Sequence, residues 1–334
     1  MMELAEILGP PLLSLLLCTL IWLVKGRDPR VADTIFPHYE RPKDLSVIEA
    51  GVLMDDILQT KDITYELYDL YFKGLISFED KTVKLLKSKD SPEVAALIPT
   101  QAAILEILFP GDSGQMILDS EITKIKASKI KESIYQVLMN QGFYEELPQE
   151  ARRGYYFFGY LLILFAVGFN VVSFFGQFEG SSHYKPFYLP LTLIIGLMVA
   201  GLVWGVFGAL MAKKTVAGVK KRNELLGFKE FIITAEKDRI EYFLKNEPKA
   251  YKEILPFAFL FGVKEKWLAP AHDLGANFLD EDLQTITFNM DLEGFEGLFE
   301  ENRNIVVGLL NIIFFALIQG AKIGLSGIGR RRRY

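Results

Sequence analysis

Two apolar runs close together in the chain constrain everything else. Tyr155–Phe175 and Phe187–Ala212 contain no charged residue, and only the eleven residues Gly176–Pro186 separate them. A helix of roughly 20 apolar residues crosses a hydrocarbon core of about 30 Å. Both runs reach that length, and so short a connection makes them an antiparallel hairpin. A third run, Ile7–Val24, is also free of charge and is followed by Lys25, Arg27 and Arg30, with Glu3 and Glu6 before it. A cleavable signal has a positive n-region and a small-residue cleavage site, so this pattern reads as a span instead.

The charges flanking these runs set a topology. Arg152 and Arg153 precede the hairpin, Lys213, Lys214, Lys220, Lys221 and Arg222 follow it, and the joining loop carries only Glu179 and Lys185. Cytoplasmic loops hold the excess of lysine and arginine. The expected arrangement is a multi-pass protein of the cell membrane with three transmembrane helices. Its N-terminus and the 176–186 loop lie outside, and residues 25–153 and 213–334 lie in the cytoplasm. The expected fold class is thus a mainly α membrane protein with a cytoplasmic α+β domain.

The rest of the chain divides around the spans. Residues 1–24 are the first span. Residues 25–43, with Pro29, Pro37 and Pro42, form an extended linker. Within 44–150, Ser46-Val47-Ile48-Glu49 is a capping box opening a helix that carries Ile48, Val52, Leu53 and Ile57. Asp62 starts a second helix ending at Gly74, and Leu75–Phe78 and Thr82–Leu86 read as strands. The plan then recurs: a helix from Thr100 to Phe109, a strand at Met116–Leu118, a polar helical stretch from Ser120, a helix over Ser128–Gln141 and a strand at Phe143-Tyr144. Helix, helix and hairpin is the winged-helix plan, here expected twice in tandem.

After the hairpin of 155–212, residues 213–301 read as a helical cytoplasmic region. Leu225–Leu244 is its amphipathic helix, Asn246-Glu247-Pro248 a break, and Ile254–Val263 an apolar stretch before Trp267. Asp273–Glu301 holds nine acidic residues and no lysine or arginine, the composition of a solvated segment. The tail 302–334 combines the apolar Ile305–Gln319 with Lys322, Arg330, Arg331, Arg332 and Arg333. It is expected to pack on the cytoplasmic domain or to lie in the interface with those basic residues toward lipid.

The chemistry-bearing residues point away from catalysis. A single cysteine, Cys18, and three scattered histidines leave no disulfide, triad or cysteine–histidine metal set. Asp55 and Asp56, adjacent on a helix, point about 100° apart and read as a solvated face. His272-Asp273 and His38 near Glu40 read as surface pairs, and Tyr65, Tyr68, Tyr71 and Phe72 as packing. There is no P-loop, GxGxxG or GxSxG, so no enzyme activity and no cofactor is expected. Residues 40–150 carry twelve lysines and arginines against twenty acids, a balance of −8. Nucleic acid is therefore not an expected partner despite Lys124, Lys126, Lys129 and Lys131, and Asp62, Glu66 and Asp69 would repel a phosphate backbone. Asn170 is the one strongly polar side chain in the hairpin, which argues against a transport path. Gly201, Gly205 and Ala209, spaced by four, form a small-residue stripe expected to pack against another helix.

Several stretches carry a resemblance. Gly26-Arg27-Asp28-Pro29, Leu45–Leu58, Leu67–Ile76, Gly227–Leu244, Asn246-Glu247-Pro248 and Leu255–Trp267 occur in this order around the hairpin. Together, over about residues 20–270, the chain resembles the bacterial and archaeal membrane proteins of the domain-of-unknown-function 2207 family. The resemblance implies a membrane protein with a cytoplasmic part and assigns no activity. Many members carry a large external domain before the first span, where this chain is expected to have almost nothing, and many end in a glycine-rich tail, where this chain has an apolar run and arginines. The expected function is a membrane-anchored scaffold or signalling module, in contact with the lipid bilayer and with a protein partner on the cytoplasmic side. The alternatives are a membrane-tethered nucleic-acid-binding regulator and a subunit of an oligomeric transporter or channel.

Overall fold

The first apolar run folds as α1 (Met2–Ile21), which loosens into a π-helical turn over Trp22–Gly26 before the linker. The computed structural model describes residues 2–273, except 33, 43, 80, 81, 112, 118, 119 and 177–188. Ser46 caps α2 (Val47–Asp55) with both bonds of the capping box, Glu49 N–H to Ser46 Oγ at 3.2 Å and Ser46 N–H to Glu49 Oε2 at 2.7 Å. α3 (Thr60–Phe72) opens on a second box made by Gln59 and Asp62 and ends before Gly74, whose φ of +68° suits glycine. β1 (Ile76–Glu79) and β2 (Thr82–Leu85) pair antiparallel, Phe78 opposite Val83. After the single turn α4 (Pro92–Ala95) and α5 (Pro99–Leu108), β3 (Gln115–Ile117) adds to the other edge of β2, Met116 opposite Val83. α6 (Ser120–Asn140) runs unbroken through the two helical stretches read separately from sequence. Then come α7 (Pro148–Gly176), α8 (Leu191–Ala209), α9 (Val216–Thr234), α10 (Lys237–Asn246), α11 (Pro248–Leu260) and α12 (Lys264–Asp273).

Three sequence-based boundaries are corrected. The two halves of 44–150 do not each carry a hairpin: the described strands form one sheet in the order β1-β2-β3. Tyr144 pairs instead with Lys214 beyond α8. A three-residue strand has too few ladder bonds to stand alone, and β2 offered it an unpaired edge. The amphipathic helix over 225–244 is two helices, because Ala235 takes an extended conformation after Thr234. The regions before and after the long apolar helices also share one core. It runs from Leu45, Leu53, Leu67 and Ile134 through to Phe228, Phe257 and Trp267. α11 lies along α3, where Phe259 meets Tyr65 and Tyr68 edge-on. The linker is strapped to the same body: Tyr39 packs on Phe231 and Phe243, and Arg41 lies over the Phe257 ring.

The three longest apolar helices form a layer with α8 against both α1 and α7. Gly196 lies on the backbone of Glu6 and Ile7, while Gly26 lies beside Leu210 and Met211, so α1 and α8 run parallel. Gly201 meets Gly159 and Ile163, and Gly208 meets Tyr155 and Tyr156, so α7 runs antiparallel. Among the described residues two helices, Glu3–Gly26 and Leu191–Ala209, are long and apolar enough to cross a membrane. Neither is a buried core helix: Leu12, Leu13, Leu16, Leu202 and Val206 are all more than half exposed. A large unbroken apolar surface of this kind needs a non-aqueous neighbour.

Candidate functional site

The polar face of α3 is turned inward. Glu66 and Asp69 are fully buried and meet Gln101 of α5, whose Nε2 donates to Glu66 Oε1 at 2.6 Å and to Asp69 Oδ2 at 2.7 Å. Glu66 Oε2 accepts the Ile48 amide at 2.9 Å. Asp69 takes both arms of the Arg41 guanidinium, at 2.7 and 3.1 Å, and the Lys73 ammonium at 2.9 Å. Lys73 also donates to Gln101 Oε1 at 2.8 Å. Burial pushes the Glu66 carboxyl above its usual range, and the Asp69 charge adds to that. Burial would raise Asp69 as well, but Arg41 and then Lys73 outweigh it and hold it below the usual range. Beside this network Glu49 receives Thr100 Oγ1 and, at 2.9 Å, Gln141 Nε2. Glu66 and Asp69, read from sequence as charges that would repel a phosphate backbone, are internal and hydrogen-bonded instead.

An open groove of about 460 Å³ lies over the network, lined by Tyr39, Glu40, Arg41, Lys73, Glu247 and Glu253 among others. Its two cations are fixed by Asp69, and its rim is carboxylate. No nucleophile stands next to a base here, and among the described residues no three His, Cys, Asp or Glu side chains converge as a metal site. The arrangement offers an occupant fixed charges of both signs.

A second cluster sits where the apolar helices meet the domain. Asp56 follows α2 in the left-handed conformation, φ +63°, rare for a residue with a side chain. Its Oδ1 accepts Tyr144 Oη at 2.8 Å and pairs with Lys214 Nζ, and its carbonyl accepts Arg152 Nη1 at 3.0 Å. Lys214 is only 2% exposed and reaches across the Tyr144 ring, while its backbone N–H donates to Asp28 Oδ1 at 2.8 Å. Thus five residues, from just past α1, α2 and α6, from α7 and from past α8, close on one point. Asp56 is not the solvated residue expected from its helix phase. His38 also differs from a surface residue: its two ring nitrogens lie 3.0 Å from the Glu40 carbonyl and 2.9 Å from the Glu224 carbonyl, binding the linker to α9. Nothing in the sequence pairs Asp56 with a lysine 158 residues away. The basic run after the hairpin was the one available hint.

The small-residue stripe is placed as follows. A side chain added at Gly201 would meet Ile163 at 2.6 Å and the Gly159 carbonyl at 2.7 Å. Gly205 has nothing within 4 Å of where a side chain would start, and Ala209 is exposed. The close contacts of α8 are Gly196, Gly201 and Gly208, not three positions spaced by four. Lys322, Arg330, Arg331, Arg332 and Arg333 lie outside the described residues. Asp273 forms an ion pair with Lys237 at 2.7 Å.

Residues 36–269 match the family described as predicted membrane protein (DUF2207) C-terminal domain. The match starts in the linker and ends in α12, so it takes in the groove, the buried network and most of the junction cluster, Asp28 excepted. No curated protein and no solved structure matches the chain.

Proposed function

The chain belongs to the DUF2207 family of predicted membrane proteins, and from that premise we propose a multi-pass anchor of the cell membrane whose cytoplasmic domain binds protein partners and carries out no catalytic step. In this reading α1, α7 and α8 are three spans. The N-terminus and the 176–186 loop lie outside, and residues 25–153 and 213–334 lie in the cytoplasm. The observation that carries it is the junction of Asp28, Asp56, Tyr144, Arg152 and Lys214, which ties the inner ends of all three long helices to one domain. Lys25, Arg27, Arg152, Arg153, Lys213 and Lys214 all belong to that end, as cytoplasmic flanks do. In this reading α2, α3 and the β1–β2 hairpin serve as a winged-helix-like, protein-binding module. Nucleic-acid binding is disfavoured by the −8 balance over residues 40–150. A transport path is disfavoured because Asn170 Nδ2 donates to Ala166 of its own helix.

The partner site is the groove over Arg41 and Lys73, and its chemistry fits a charged loop or terminus of another protein. A photo-crosslinker in place of Tyr39, used in native membranes, tests this. One protein should be captured repeatedly, and Glu253→Lys should abolish its capture while Glu241→Lys on α10 leaves it intact. Recovery of a specific DNA, or capture indifferent to Glu253, overturns the reading.

A further inference from the structure

A second groove, of about 330 Å³, lies between α5 and α6 on the face formed by Glu106, Ile107, Pro110, Ile125, Lys126 and Lys129. It combines an apolar seat with positive charge. Ile125 is 59% exposed, and Ile117 on β3 and Leu86 after β2 are similarly open. Lys126 donates to the Leu108 carbonyl, Glu106 is already paired with Lys89 at 2.8 Å, and Lys129 has no carboxylate partner among the described residues. An occupant therefore needs acidic groups interleaved with large apolar side chains.

We propose that residues 280–301 of this same chain dock in the α5–α6 groove. The segment carries Asp280, Glu281, Asp282, Asp291, Glu293, Glu296, Glu300 and Glu301, with no lysine or arginine. Between them stand Phe288, Leu292, Phe295, Leu298 and Phe299. Exposed ion pairs alone are weak, so the apolar residues seat the segment and the charges set its place. Reach is no obstacle. The chain leaves α12 at Asp273, and 28 further residues extend to about 95 Å. A domain of this size is only about 45 Å across. Tethering supplies an effective concentration of about a millimolar, enough for a modest intrinsic affinity. The docked segment neutralises Lys126 and Lys129 and covers Ile125. This goes beyond the partner groove proposed above and does not depend on it.

The test is made on the full chain in membranes, with Cys18→Ser removing the one native thiol. A cysteine pair, Ile125→Cys with Leu298→Cys, is treated with a short bis-maleimide. The control pair is Tyr242→Cys with Leu298→Cys, since Tyr242 is exposed on α10, which packs against α12. Crosslinking within the chain should be at least about fivefold faster at 125 than at 242, as effective concentration at a docked site requires. It should fall to the control rate in Lys129→Glu and recover when Glu296→Lys is added. Equal rates at 125 and 242, or crosslinks only between chains, overturn the proposal. So does protection of Ile125→Cys by anionic lipid vesicles after residues 280–301 are deleted, which assigns the groove to a membrane surface instead.

Discussion

At Asp62 a helix cap and a buried carboxyl are the same group. Its Oδ2 accepts the Gln59 amide at 2.8 Å, and the side chain lies against Gly51, where any larger residue would strike it. Burial, eased by that bond, raises its pKa from 3.8 to about 7. The folded-state value is the higher one, so between about pH 4 and 7 the unfolded chain releases a proton that the folded chain keeps. Stability attributable to this group therefore falls as pH rises through that window and levels off above it. Asp62→Asn keeps an oxygen for the Gln59 amide and removes the titration. Relative to the parent it should gain stability steadily from pH 4 to 7, to an upper bound of about 4 kcal/mol. Thermal unfolding in detergent at a series of pH values checks this, and a pH-independent difference refutes it. Lys214 works the other way. Lys214→Met keeps an apolar stem but removes the ammonium from over the Tyr144 ring and leaves Asp56, already strained at φ +63°, without its cation. A loss of about 2 kcal/mol is expected, less than for a wholly enclosed pair because Asp56 is one-fifth exposed. Adding Asp56→Asn should recover part of it, and an additive double mutant would show the two side chains to be uncoupled.

At the scale of elements, α8 is a helix with one surface for each neighbour. Gly201 and Gly208 admit α7, and Gly196 admits α1. Gly201→Leu should therefore separate α7 from α8 and reduce disulfide formation between cysteines placed at Ile163 and Leu197, whereas Gly205→Leu should leave it nearly unchanged. Equal effects of the two would remove the distinction. The stripe was half visible in the sequence, since small residues at a spacing of four or three both lie on a helix face. Which of them meets a partner depends on the crossing geometry, which the sequence does not encode locally. Other elements were legible for the opposite reason. The Ser46–Glu49 box, the Gly74 terminus and the β1–β2 turn are local devices whose partners lie within a few residues. The break after Thr234 has no local signal, because Ala235 and Glu236 are ordinary helix formers, and the turn goes with the packing of α10 against α11 and α12. The inward turn of Glu66 and Asp69 was hidden as well. Lys73 is a local i,i+4 partner of Asp69, but a carboxylate on a helix still reads as solvated until Arg41 and Gln101 arrive from elsewhere.

For the whole molecule, the shared core decides more than any helix does. Chain before α7 and chain after α8 pack into one body, and the linker after α1 is strapped onto it. A single body cannot straddle a bilayer, so whatever crosses between residues 153 and 213 must cross an even number of times. In the proposed arrangement the hairpin makes those two crossings, and the parallel packing of α1 on α8 then puts the end of α1 on the domain's side. That geometry and the lysine–arginine asymmetry are independent arguments for the same topology. The prediction is made with single cysteines in a Cys18→Ser background on intact cells. Ser181→Cys, in the hairpin loop, should react with a membrane-impermeant maleimide. Ser88→Cys, exposed between β2 and α4, should react only after the membrane is opened; Ser91 is left alone because its side chain caps α4. Labelling of 88 but not 181 on intact cells would invert the topology. Labelling of both would mean that the hairpin does not cross. In that case the exposed leucines of α1 and α8 would have to be covered by another chain.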